Sequence, residues 1–214
     1  MSPKRVFNKL FRTYGKQNWW PGETPFEIMI GAILTQNTSW SNVEKAIDNL
    51  NAHNCLDAEK LVRADQDQLA ALLKPSGYFN VKTKRIINYC HWYLDQGGYS
   101  CLSTRDTEQL RNDLLSVNGI GPETADDIML YAFERPIFVV DAYTRRLFSR
   151  LGLIDGMEHY EHIRQLFEDK LGADVALYNE FHALIVRHAK MVCKKNPKCQ
   201  ECCLVDKCDY KQAH

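Results

Sequence analysis

Several features are missing from this 214-residue sequence, and each absence removes a class of protein. It has no apolar run of the roughly 20 residues that a membrane-spanning helix needs. Its first twenty residues, MSPKRVFNKLFRTYGKQNWW, have no uninterrupted apolar core of the kind a secretory leader carries. A cytoplasmic protein with no membrane partner is expected. Excess charge of one sign is also missing. Lys and Arg number 27 and Asp and Glu number 27, so a uniformly basic nucleic-acid coat is excluded. One positive face remains possible, because VKTKR (81–85), RR (145–146) and CKKNPKC (193–199) are local basic clusters. Low-complexity linkers and internal repeats are absent. Strand signals are scarce too, since PIFVV (136–140) is short and has no strand partner.

What is present is helical periodicity. PFEIMIGAILTQ places Phe26, Met29, Ile30, Ile33 and Leu34 on one face, and Pro25 suits a first helical turn. NVEKAIDNLNAH, DQDQLAALLKP, KTKRIINYCHWYLDQ, DTEQLRNDLLSV, HYEHIRQLFEDKL and VALYNEFHALIVRHAKMVC repeat the pattern. Asp106 or Thr107 can cap the helix that begins there. The spacing predicts nine or ten helices in an all-α fold. Turns such as KPSGYFN and DQGGYS guide the division into two helical lobes. Residues 24–133 form one lobe, 1–23 and 134–192 the second, and 193–208 a cysteine-rich loop.

Within VNGIGPETADDIML, two helices flank Asn118, Gly119, Ile120 and Gly121. Glycines permit a tight turn and a close approach by another backbone. Pro122 fits a first helical turn, and the free N–H groups there can meet a phosphate oxygen. Such a helix-hairpin-helix grips a DNA backbone without reading its sequence. The plain alternative is an αα-corner with a glycine cap. Further on, in FVVDAYTRRLFSRLGL, Tyr143, Leu147 and Leu151 share a helical face, which puts Asp141 at the N-cap.

Of the eight cysteines, five lie between residues 193 and 208, a clustering that suggests a metal rather than disulfides. Cys193, Cys199, Cys202 and Cys208 have the number and spacing to close around one tetrahedral zinc or one cubane cluster. Cys203 is a neighbour that could replace Cys202. Lys194, Lys195, Lys198 and Lys207 interleave with them and offer phosphate contacts.

The hairpin, the Gly/Pro-containing loop around Pro136 and the aspartate of Val139-Val140-Asp141 together resemble the endonuclease III superfamily of DNA glycosylases. LTQNT and the cysteine cluster extend the resemblance over nearly the whole chain. The resemblance implies two α-helical lobes with a cleft, the hairpin at its mouth and Asp141 inside as the catalytic residue. Breaking an N-glycosidic bond builds positive charge on the deoxyribose, which a fixed carboxylate stabilises, or the carboxylate activates water. The target base must leave the stack. Bifunctional members carry a nucleophilic lysine at the position of Glu123, so a monofunctional enzyme is implied, unless Lys82, Lys84 or Lys190 substitutes.

The cysteine spacing resembles the 4Fe–4S loop of endonuclease III, whose first gap is one residue longer. WWP, LTQNT, PSGYFN and the Glu123 hairpin resemble the 3-methyladenine DNA glycosylases of the endonuclease III type, most of which lack that tail. Trp19, Trp20, Pro21 and Trp40 are thereby assigned to a base pocket, where aromatic faces stack a cationic purine. Two adjacent tryptophans on a helix cannot both face one core. Gln36, beside Asn37, matches the position that fills the gap left by the flipped nucleotide. The expected activity is release of alkylated, 3-methyladenine-like bases from double-stranded DNA by a monomer. An oxidised-pyrimidine or mismatch glycosylase, with or without lyase activity, is the rival enzyme, and a non-catalytic DNA-binding module the rival without chemistry.

Overall fold

The structure, a computed structural model, describes residues 1–19 and 22–213. Thirteen α-helices and no strand occur among them. The chain divides into two compact units, Trp20–Arg135 and a second made of Met1–Trp19 with Pro136–His214. Periodicity undercounts the helices because α4 (Ala58–Arg63), α7 (Gly98–Leu102) and α13 (Asp209–Ala213) are shorter than two turns. Such lengths show no 3.6-residue stripe. No helix is long and apolar enough to cross a membrane.

In the first unit, α2 (Pro25–Leu34) is the central element, with every residue from Ile28 to Leu34 buried. The one-faced stripe expected there is therefore a fully enclosed helix. It packs against α3 (Trp40–Ala52), α6 (Phe79–Asp95) and α9 (Pro122–Asp127). Oxygen-bearing side chains cap the starts. Thr24 accepts from Glu27 N at 3.1 Å, Asp65 serves α5 (Gln66–Leu73), and Asp106 accepts from Gln109 N at 2.9 Å to open α8 (Thr107–Ser116). After α9 the helix widens into a π turn, Ile128–Ala132, which is buried throughout.

Lys82 departs from its sequence reading. It belongs to a basic cluster in sequence, yet only 1% of it is exposed. Its Nζ donates to Leu34 O at 2.8 Å and to Ser76 O at 2.5 Å, tying the end of α2 to the turn before α6. Burial, and then the charge of Arg85, pushes its pKa down to about 8. Helical rotation explains the difference, since Lys84 in the same run is exposed.

The second unit is built on aromatic rings. Phe138 stacks on Phe167 at 4.5 Å, and Phe148 meets Phe167 edge-on at 4.6 Å. Phe181 receives Phe7, Phe138 and Phe148. These rings join α1 (Pro3–Tyr14), α10 (Ala142–Arg150), α11 (Tyr160–Leu171) and α12 (Val175–Met191). Within PIFVV, Ile137 to Val140 are buried without pairing to a strand. Side chains take its backbone donors instead: Phe138 N–H reaches Glu168 Oε1 at 2.9 Å and Val140 N–H reaches Tyr160 OH at 3.2 Å.

Lys82→Met leaves two carbonyl oxygens without a donor and is expected to cost about 2–4 kcal/mol in denaturant unfolding. The sign of the pH effect follows from the lowered pKa. Between about pH 8 and the unfolded value of roughly 10.4, the unfolded chain binds more protons than the folded one. The contribution of Lys82 to stability therefore rises with pH across that window, and Lys82→Met should lose that rise.

Candidate active site and nucleic-acid interface

The hairpin is held from three sides within its unit. A buried ion pair locks α8 to α9, with Arg111 Nε donating to Asp126 Oδ1 at 2.6 Å and a second nitrogen to Oδ2 at 3.1 Å. Gln36 donates from its amide to Gly119 O at 3.1 Å and to Thr124 Oγ1 at 2.9 Å, while its carbonyl accepts from Arg85. Asn88 donates to Asn118 O at 3.3 Å. The amide assigned to plug a duplex thus braces the hairpin in this structure, and reaching a DNA gap requires it to release these bonds. Asn37 beside it is exposed at φ +56°, a left-handed conformation that asparagine tolerates.

The two hairpin glycines differ in kind. Gly119 sits at φ +99°, and a Cβ there would run into the Arg85 side chain. Gly121 has φ −94° and would meet nothing within 4 Å. Neither backbone geometry nor internal packing demands glycine at 121. Its missing side chain leaves open space at the start of α9, where Pro122 follows and no side chain caps the first turn. Ile120 is buried and Glu123 is exposed in that first turn.

Asp141 is the N-cap of α10, as its position before Tyr143 and Leu147 predicts. Its Oδ1 accepts from Thr144 N at 2.7 Å. Its Oδ2 lies 3.5 Å from His182 Nε2, at the long limit of a hydrogen bond. Both residues are over nine-tenths buried. Burial pushes the carboxyl up, but His182 and then Thr144 outweigh it, so Asp141 stays below the usual carboxylate range. A buried carboxylate thus remains ionised. His182 stands edge-on to Trp19, with ring centroids 6.4 Å apart.

Trp19 is therefore the one described base-pocket tryptophan that shares a cluster with the Asp141 group. It lies in irregular chain after α1, not on a helix as expected. Trp20 and Pro21 lie outside the described residues. Trp40, in the other unit, opens α3 and sets its ring against Gly31 of α2, 3.4 Å from where a Cβ would stand. That is packing within the helical core. His182 carries no local signal in the sequence, because it is one of several residues on the buried face of α12.

The cysteine tail is anchored by the far end of α10. Arg146 donates to Ala189 O and Cys193 O. Arg150 donates to Cys193 Sγ at 3.3 Å and to Lys194 O and Lys195 O. Leu204 is fully buried. Burial pushes the Cys202 thiol up to about 11, the Leu204 N–H opposes this, and the neighbouring Cys203, Cys193 and Cys208 add to the rise. His188, fully buried, brings Nε2 to 3.5 Å from Cys202 Sγ, with Tyr14 OH 2.7 Å from its Nδ1. Burial holds that imidazole neutral, with a pKa of about 4. Lys194, Lys195, Lys198 and Lys207 are exposed, and Lys198 lies 3.4 Å from Glu201.

Among the described residues, no three Cys, His, Asp or Glu side chains gather as ligands of one ion. A single zinc needs its donors around one point, whereas a cubane binds each thiolate at a different corner. The thiol-rich donor set has a guanidinium at Cys193 and an imidazole at Cys202, and its chemistry is of the kind that either group takes.

Of the lysines that could replace a missing nucleophile, Lys82 is committed to two carbonyls. Lys84 is exposed on α6, and Lys190 extends over the Tyr143 ring at 5.9 Å.

Residues 30–172 match the model of the HhH-GPD superfamily base excision DNA repair protein. A protein of Methanocaldococcus jannaschii named as a candidate DNA repair glycosylase is 46% identical over 207 residues, covering 95% of this chain and 94% of its own. Endonuclease III of Sulfolobus acidocaldarius is 27% identical, with 86% of this chain and 82% of that one covered. Among solved structures, the H. pylori 3-methyladenine DNA glycosylase bound to 1,N6-ethenoadenine aligns with a TM-score of 0.78 at 28% identity, covering 89% of this chain and 98% of that one. A non-covalent endonuclease III–DNA complex shares the fold, with a TM-score of 0.85 at 18% identity over 100% of this chain and 98% of that one.

Gly119→Ala is expected to lower the unfolding free energy by about 2 kcal/mol or more, from its positive φ and the Arg85 contact. Gly121→Ala should cost no more than about 1 kcal/mol, the difference between the two residues as N-caps. Thermal unfolding of both variants checks the contrast.

Proposed function

Since the chain belongs to the HhH-GPD superfamily of base excision DNA repair proteins and is a DNA glycosylase, we propose that it is a monofunctional enzyme hydrolysing the N-glycosidic bond of alkylated, 3-methyladenine-like bases. The observation that carries this reading is the buried, ionised Asp141, with Glu123 standing where a lyase lysine would be. As base and sugar separate, positive charge grows at the anomeric carbon. A carboxylate fixed by Thr144 and shielded from water stabilises that charge more than the neutral ground state. Oδ1 is spent on the helix, which leaves Oδ2 for the sugar or the attacking water.

Such a site suits a base that already leaves readily. An alkylated purine carries positive charge and a weakened glycosidic bond, so one carboxylate suffices without a covalent sugar intermediate. The H. pylori relative, named for 3-methyladenine, supports that substrate class. Asn118 to Gly121 would hold one DNA strand, with Gly121 leaving room for a phosphate oxygen. Gln36, Asn37 and Glu123 flank that contact, and Lys194, Lys195 and Lys198 add charge for the backbone. Trp19 would line the base pocket, and Trp20, Pro21 and Trp40 are assigned to it by the family resemblance alone. Cys193, Cys199, Cys202 and Cys208 would hold a 4Fe–4S cluster, which supplies a structural tie for the tail and a redox centre. The chain would act as a monomer on duplex DNA.

Asp141→Asn should fold and bind DNA but release alkylated bases on the order of 10³-fold more slowly, the effect of losing several kcal/mol in the transition state. Near-normal turnover would reduce Asp141 to a helix cap. Release of oxidised pyrimidines instead of alkylated purines, on a panel of lesion duplexes, would replace the substrate assignment. Protein purified without oxygen should contain about four iron and four sulfide per chain, as a cubane requires. Stoichiometric zinc without iron contradicts the cluster.

A further inference from the structure

We propose that His182 is the positioning residue for Asp141, fixing the orientation of Oδ2, the carboxylate oxygen that faces the reaction. The inference rests on the catalytic reading of Asp141 and adds a residue to it. The two carboxylate oxygens have separate partners. Oδ1 is bound at 2.7 Å by the Thr144 N–H, a contact that α10 provides wherever its cap is an aspartate. Oδ2 has no such backbone partner in the cap geometry, and a carboxylate anchored by one oxygen can still swing about its χ2 bond. His182 Nε2, 3.5 Å from Oδ2 and carried by α12, stands beside that oxygen where it would restrict the swing.

The length of the contact matters. At 3.5 Å the ring does not saturate Oδ2, so the oxygen keeps lone pairs for a sugar carbon or a water proton. A shorter bond would hold the charge in the ground state and weaken its gain in the transition state. The ring is itself constrained. His182 is 7% exposed, α12 packs on α10, and Trp19 closes on the ring edge. Trp19 thereby links the base-pocket segment to the carboxylate. The groups around Asp141 in this arrangement are Thr144 on its own helix and His182 on α12, with Trp19 behind the imidazole.

The test uses the full-length protein with its metal content intact. Single-turnover base release, affinity for a non-cleavable abasic duplex, and thermal midpoint are measured for His182→Leu, His182→Gln and His182→Asn. His182→Leu should slow release by about 10- to 100-fold, with affinity within about threefold. The glutamine amide reaches the place of Nε2 and should restore most of the rate, while the shorter asparagine should not. The acid limb of the rate profile should move to higher pH in His182→Leu, because Asp141 loses a group that favours its charged form.

Release within twofold of the unmodified protein in folded His182→Leu overturns the proposal. So do equal rates for His182→Gln and His182→Asn, a comparison that stands even if the leucine variant does not fold. The parent reading fails separately. An active Asp141→Asn sinks the carboxylate mechanism, whereas inactive Asp141→Asn beside fully active His182→Leu sinks only the role of His182.

Discussion

Asp141 caps α10 and, in the proposed function, also serves the reaction, and that double role constrains what surrounds it in the second unit. Burying a charge costs several kcal/mol unless hydrogen bonds and opposite charge offset it. Asp141 meets the cost with His182 first and then with the Thr144 N–H at the start of α10, which together hold it ionised against burial. The helix that stabilises the charge then extends to Arg146 and Arg150, whose guanidinium groups grip the end of α12 and the cysteine tail. Cap, helix and tail form one continuous set of polar contacts. An aspartate on a loop would need a separate scaffold, whereas here the N-cap geometry holds the carboxylate that we propose as catalytic.

The other unit carries the hairpin proposed to present its backbone N–H groups to phosphate, a role that needs rigidity although the turn contains glycine. The Arg111–Asp126 pair beneath it and the Gln36–Arg85 brace beside it supply that rigidity. Gly119 is required by these internal contacts, since Arg85 occupies the space a side chain would need. Gly121 is not required by any of them. Gly121 faces open space at the N-cap of α9, the place where the proposed DNA phosphate would approach.

Much of this was legible in the sequence because it rests on local rules. Capping put Asp141 and Asp106 at helix starts, and turn chemistry placed the hairpin around Gly119 and Gly121. Thiol spacing brought out the cysteine tail. What escaped depends on contacts far apart in sequence. His182 sits on a buried helical face, and only folding brings it to Asp141, forty-one positions earlier. Lys82 looked like part of a basic patch because composition cannot say which face of α6 turns inward. Gln36 is matched by resemblance to the gap-filling position, and nothing local indicates that Gly119, Thr124 and Arg85 occupy its amide. The helix count fell short for a simpler reason, since helices of five or six residues have too few turns to show a period.

Hydrolysis by a carboxylate without a lysine nucleophile is read out by product analysis on a duplex with one alkylated purine, with and without borohydride. Free base and an intact abasic strand that only alkali or a separate lyase cleaves are expected, with no trapped adduct. Efficient covalent trapping of the unmodified protein would contradict it. Such a result would show that an amine attacks the sugar and that Glu123 does not define the reaction class.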